Sequence, residues 1–168
     1  AIFSTYREHD GRVHAVQEQR GSIIALPGDV DAGNPALHEL DAALVGAYGD
    51  VVRLMYSTAS ATPQARKWRY VIPLAEPIPG DMYREVQLAA FELMAERGIT
   101  CDGAMTRPGQ VAFLPNVPSE KRDADGVPLF YDSCLRGSDL FLVSGSAIEA
   151  RMIERQKSVL ATKCGRPI

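Results

Sequence analysis

Two carboxylates stand at i and i+2 in Gly28-Asp29-Val30-Asp31-Ala32-Gly33-Asn34, directly after the apolar run Ile23-Ile24-Ala25-Leu26. Where a strand ends, that spacing turns both side chains to one side, so that together they can hold hard cations. Asp102 is the third carboxylate of interest. Three carboxylates, two of them so spaced, are the ligand set of a two-metal phosphoryl-transfer site, and oxygen donors select Mg2+ or Mn2+ over zinc. The competing reading makes Asp29 and Asp31 solvated turn residues and Asp102 a loop cap; spacing alone leaves both open.

A second group could bind phosphate. Ser57, Thr58 and Ser60 lie in a link of small residues, followed by Arg66, Lys67 and Arg69. Hydroxyls and backbone N–H groups in such a link can bond phosphate oxygens, while arginine offers a two-pronged donor set and lysine a point charge. Alternation places Arg66 on the side of Trp68 and Lys67 on the side of Arg69, so the three are not expected to meet one ligand. Arg107 and Gln110 are weaker candidates for sugar or phosphate contacts. The plainer alternative is an exposed hairpin decorated with basic residues. His9, His14 and His38 have no ligand spacing and read as structural or exposed, and neither a phosphate-binding P-loop nor a dinucleotide glycine fingerprint is present.

The elements that must position these groups follow from periodicity. A strand over 22–26 leads into the carboxylate turn, and Asn34-Pro35 reads as a helix opening in which asparagine caps and proline fills the first turn. Leu37, Leu40, Ala43, Leu44 and Ala47 recur at helical spacing until Gly49. Val51 to Tyr56 is a second strand, and Trp68, Tyr70, Ile72 and Leu74 alternate with other residues in a third. After the break Pro77-Ile78-Pro79-Gly80, with Asp81 as cap, a second helix places Tyr83, Val86, Ala90, Leu93 and Met94 inward and stops near Gly98. A fourth strand is expected over 111–114. Phe130 and Tyr131, then Leu140 to Val143, suggest one or two edge strands, followed by a helix over 146–163 with Ile148, Met152, Val159 and Leu160 inward and Arg151, Glu154, Arg155 and Lys157 outward.

The resulting order, strand, helix, strand, strand, helix, strand, predicts an α+β fold of the RRM-like, ferredoxin-like βαββαβ plan with extra edge strands and a C-terminal helix. In that plan the end of the first strand, the link between the second and third, and the approach to the fourth lie at one end of the sheet. Asp29 and Asp31, the segment from Ser57 to Arg69, and Asp102 would then converge.

The chain has 168 residues, 46% of them apolar and 23% charged, which suits a single domain with a real core. No apolar run approaches the ~20 residues of a membrane span, and the first twenty residues do not resemble a signal peptide, so a cytoplasmic location and no membrane partner are expected. A net charge of −3 argues against coating nucleic acid by bulk electrostatics. Cys101, Cys134 and Cys164 are widely spaced and read as free thiols. The start at Ala1 suggests a piece of a longer protein.

Several segments resemble one family: Gly-Asp-Val-Asp-Ala-Gly at 28–33, Tyr-Ser-Thr-Ala-Ser-Ala-Thr-Pro at 56–63, Arg-Lys-Trp-Arg-Tyr-Val-Ile-Pro-Leu at 66–74, Cys-Asp-Gly-Ala at 101–104 and Arg-Pro-Gly-Gln-Val-Ala-Phe-Leu-Pro-Asn at 107–116. In this order they look like the catalytic core of archaeo-eukaryotic-type primases and primase-polymerases, in the branch carried by phages, plasmids and other mobile elements. The resemblance covers 22–118. It implies Asp29 and Asp31 as first-motif metal ligands, Asp102 as third-motif carboxylate, and Ser57 to Ser60 in the place of the nucleotide-binding second motif. It also implies nucleoside triphosphates and a single-stranded DNA template as partners, and a helicase, to which the family's domains are often joined. The second motif of much of the family carries a histidine, and this chain has none after His38. Phosphate binding then falls to Ser57, Thr58, Ser60 and the basic residues beyond, or the site is inactive. An inactive single-stranded nucleic-acid-binding module and a metal-dependent nuclease are the alternatives.

Overall fold

The computed structural model describes residues 2–8 and 13–164, those at 163 and 164 without their side chains. His9 and the side chain of Cys164 lie outside the described residues. Strands β1 (Ser22–Val30), β2 (Arg53–Ser57), β3 (Trp68–Pro79) and β4 (Ser133–Arg136) form one antiparallel sheet in the order β1-β3-β2-β4. Helices α1 (His14–Arg20), α2 (Leu37–Tyr48), α3 (Gly80–Ala95) and α4 (Ala147–Cys164) complete a mixed α+β fold among the described residues.

The period of two along β3 sorts its side chains between two environments. Trp68, Tyr70 and Ile72 join Leu26, Val30 and Met55 under Leu40 and Leu44 of α2 and Val86, Ala90 and Leu93 of α3, in the main core. Val71 sits on the opposite face with Ala25 and Tyr56, partly covered by Phe3 and Leu54. Arg69 and Asp29 belong to that second face. The glycine at 28 makes room in the first: a Cβ there would lie 2.1 Å from the ring of Tyr70, its ladder partner.

β1 runs past its expected end at Leu26 to Val30, so Asp29 lies inside a strand, paired with Arg69, and not in a turn. Pro27 is tolerated because β1 is an edge strand. β3 likewise continues through Pro77-Ile78-Pro79, which read as a break. There β2 no longer pairs with it, so the missing N–H groups cost no ladder bond on that side. α3 then begins at Gly80 with Pro79 as the residue before it, and Asp81 falls in the first turn instead of capping.

α2 stops as expected at Gly49, whose φ of 82° is left-handed and whose N–H donates to the Val45 carbonyl at 2.8 Å. Its start differs. Asn34 does not cap; it adopts φ 49° and accepts hydrogen bonds from Arg66, while the Glu39 carboxylate accepts the Ala36 N–H at 2.6 Å. Pro35 precedes the helix and its carbonyl accepts the Trp68 indole N–H at 2.8 Å.

The strand expected over 111–114 is not formed. Ala112 is buried, but Phe113 and Leu114 are exposed, and the Phe113 carbonyl is taken by side chains instead of a neighbouring strand. The fourth strand is β4, on the outer edge of β2. In α4, Ile148 and Met152 point inward as predicted, whereas Val159 and Leu160 are exposed. Arg151 and Arg155, read as outward, instead reach α3, where they pair with Glu92 and Glu96 and with Glu85 and Glu92.

Candidate active site

Antiparallel pairing sets Tyr56, Arg69 and Asp29 side by side across β2, β3 and β1. The end of β1 and the link between β2 and β3 share one end of the sheet, since Trp68 is the ladder partner of both Val30 and Ser57. Asp102 arrives there from the far side of α3: its N–H donates to the Asp29 carbonyl at 2.8 Å. The three carboxylates expected to meet are thus brought to one rim. Asp29 is buried, whereas Asp31 and Asp102 are exposed.

Each carboxylate already has a partner. An Arg69 Nη donates to Asp29 Oδ2, with both side chains only 11% exposed. Lys67 Nζ stands 3.7 Å from Asp31 Oδ1. Asp102 Oδ1 accepts the Ala104 N–H at 2.9 Å, opening a short 3-10 turn. The other oxygen of Asp29, Oδ1, is buried without a hydrogen-bond partner, and so is Arg69 Nε. Burial raises the pKa of Asp29 above its usual range. The hydrogen bond and charge of Arg69 oppose that rise, and the charges of Asp31 and Asp102 reinforce it.

The second group is divided. Ser57 is buried and faces away from the carboxylates; its Oγ accepts the Asp132 N–H at 3.1 Å, which ties the sheet to the segment leading into β4. Thr58 and Ser60 lie in the hairpin link with their hydroxyls 3.4 Å apart. Arg66 is bound to Asn34 through its backbone N–H and its guanidinium, on the other side from Arg69, as alternation requires. Lys67 and Arg69 lie with the carboxylates. Arg107 is exposed and bonds back to the Ala104 carbonyl, and Gln110 is half-buried, its N–H held by the Arg107 carbonyl.

Two participants were not foreseen. Tyr56, fully buried beside Arg69, donates its hydroxyl to the Phe113 carbonyl at 2.6 Å, and Arg69 Nη1 donates to the same oxygen at 3.1 Å. Alternation from Ser57 could have placed Tyr56 on this face; nothing in the sequence marks a backbone carbonyl. Behind the sheet, the Cys101 thiol lies 3.6 Å from the Tyr70 hydroxyl, and burial pushes its pKa up to about 11.

Among the described residues no three His, Cys, Asp or Glu side chains are gathered closely enough to hold a metal ion as they stand. The donors fit Mg2+ or Mn2+ in kind, being carboxylate oxygens, and the unpartnered Oδ1 of Asp29 is the atom in want of a ligand. As they stand, their arrangement does not form a cation site: Asp29 Oδ2 is held by Arg69 and Asp31 faces Lys67. Trp68 and Tyr70 are buried in the main core, so neither offers an exposed ring for stacking against a base. No helix among the described residues is long and apolar enough to cross a membrane. Compared with protein-family models, curated proteins and solved structures, the chain matches none.

Proposed function

We propose that this chain is a template-dependent nucleotidyltransferase, a DNA primase or primase-polymerase domain of mobile-element replication on an RRM-like, ferredoxin-related sheet. The observation that carries the reading is the meeting at one rim of Asp29, Asp31 and Asp102, from segments far apart in the chain, with Lys67 and Arg69 beside them. Asp29, Asp31 and Asp102 would hold Mg2+ or Mn2+, which when bound lowers the pKa of an attacking 3′-hydroxyl and neutralises the triphosphate.

The chain's own residues supply position and charge. Lys67 and Arg69 face the carboxylates; in this reading Lys67 serves triphosphate oxygens as a mobile point charge, and Arg69, held here by Asp29 and the Phe113 carbonyl, would offer its planar fork once released. Thr58 and Ser60, at the tip of the adjoining link, offer hydroxyls to the same anion, and Arg107 and Gln110 border the rim. Ser57 and Arg66 hold the link in shape through Asp132 and Asn34. No covalent intermediate is needed, since such a reaction gains most from orientation and charge stabilisation.

The test supplies labelled nucleotides, a single-stranded DNA template and Mn2+, with and without a primer. The expected result is templated product from the wild-type chain and none from the doubly substituted Asp29→Asn, Asp31→Asn variant, with an unchanged far-UV circular dichroism spectrum. Extension by that variant would remove the assignment. Loss of template in the absence of nucleotides would point to a nuclease built on the same carboxylates.

A further inference from the structure

β1 is an edge strand, and the strand expected over 111–114 is not there to pair with it, so its outward carbonyls need other donors. Near the site two of them have one. The Asp29 carbonyl takes the Asp102 N–H at 2.8 Å, and the Pro27 carbonyl takes Nε2 of Gln87, on α3, at 2.7 Å. Gln87 is wholly buried. Its Nε2 also donates to the Tyr83 hydroxyl at 2.9 Å, which donates in turn to the Met105 carbonyl at 2.8 Å. Met105 closes the turn that Asp102 opens, since its N–H donates to the Asp102 carbonyl at 3.1 Å. The Gln87 oxygen is buried without a partner, a cost that an apolar side chain of the same length avoids, so what the amide adds at this position is its donors.

We infer that Gln87 is a positioning residue of the site: its amide clamps the turn over 103–106 to β1 and so keeps Asp102 beside Asp29. Its part in a reaction rests on the function proposed above; the clamp itself does not. The amide bonds to none of the rim side chains and acts through the turn, with Tyr83 as the relay to Met105. Pro27 and Asp29 lie two residues apart on one edge of β1, so Gln87 and Asp102 grip neighbouring carbonyls of the same strand. Remove the amide, and the Asp102 N–H loses the bond that supports its own. The Asp102 carboxylate then samples positions away from Asp29.

Amide hydrogen exchange followed by NMR reads the clamp directly, because the Asp102 N–H exchanges only when its bond to the Asp29 carbonyl opens. The full chain is compared with Gln87→Met, which keeps length and bulk and removes the donors. The Asp102 amide should exchange about tenfold faster in the variant, as an unmade buried hydrogen bond allows, while the amides of Leu44 in α2 and Tyr70 in β3 keep their wild-type rates. Templated incorporation by the folded variant should show kcat lowered by about tenfold at an unchanged nucleotide KM, since Lys67, Thr58 and Ser60 are untouched. An unchanged Asp102 rate overturns the clamp, and so does a common rise at Asp102, Leu44 and Tyr70, which would make Gln87 a general core residue. Faster Asp102 exchange with an unchanged kcat overturns its bearing on the site. A wild-type chain that incorporates no nucleotide overturns the proposed function, whereas faster Asp102 exchange in the variant would still establish the clamp. Should Gln87→Met fail to fold, the milder Tyr83→Phe decides: it removes the relay to Met105 and should speed Asp102 exchange about threefold, and an unchanged rate overturns the clamp.

Discussion

Replacing Arg69 by methionine would leave Asp29 without its counter-ion in a place that is nearly dry. Both side chains are 11% exposed, so solvent screening is slight, and removing one member of such a pair costs about 3–5 kcal/mol when the other stays charged. With some water at the rim, about 3 kcal/mol is expected, or a fall in Tm of roughly 6–12 °C for a chain of this size. The loss must depend on pH. Burial already raises the pKa of Asp29 above its ordinary 3.8, and Arg69 provides the two influences that hold it down. Without Arg69 the folded-state pKa climbs further, so the folded chain holds a proton that the unfolded chain has released. Stability then falls as pH rises from the ordinary aspartate value through the raised one, and is flat above it. Urea denaturation of Arg69→Met and wild type, at about pH 5 and about pH 8, should give a much larger difference at the higher pH. Adding Asp29→Asn to Arg69→Met should recover most of the loss at about pH 8, since a buried amide carries no charge to strand. An equal loss at both pH values, or no recovery in the double variant, would refute the account, because the loss would then be packing and not charge.

Two further outcomes probe the other face of the sheet. Gly28→Ala places a Cβ about where the ring of Tyr70 now lies, at 2.1 Å, and should cost about 1–3 kcal/mol in a urea melt; wild-type stability would show that the ring is elsewhere. Cys101, with its thiol pKa raised to about 11 by burial, should alkylate far more slowly at about pH 8 in the folded chain than after denaturation. Equal rates would place that thiol in solvent.

Much of the sheet could be read from alternation. Trp68, Tyr70 and Ile72 against Arg69 and Val71 is a strong period of two, and it separated Arg66 from Lys67 and Arg69 correctly. Gly49 and the apolar stripe before it marked α2 as clearly. The boundaries misread from the sequence involve proline or glycine: Pro27-Gly28 reads as a turn, Asn34-Pro35 as a helix opening and Pro77 to Gly80 as a break. Two of these three are strand, because pairing with a single neighbour leaves room for a missing N–H. The short polar β4, Ser-Cys-Leu-Arg, carries no local signal, whereas Val111 to Leu114 carries a misleading one. For the site, residue types and spacing named the acidic and basic groups. They did not tell that Asp29 would be buried against Arg69, which depends on a ladder between positions forty residues apart.

That ladder pairing also guards the fold against error. Sliding β1 by one residue along β3 would turn each of its side chains to the other face. Asp29 would then enter the layer of Trp68, Tyr70 and Leu44, while Leu26 and Val30 would be turned out of it. The alignment that assembles a full hydrocarbon interior is therefore also the one that gives this acid its guanidinium, and a misaligned pair of strands would lose both together.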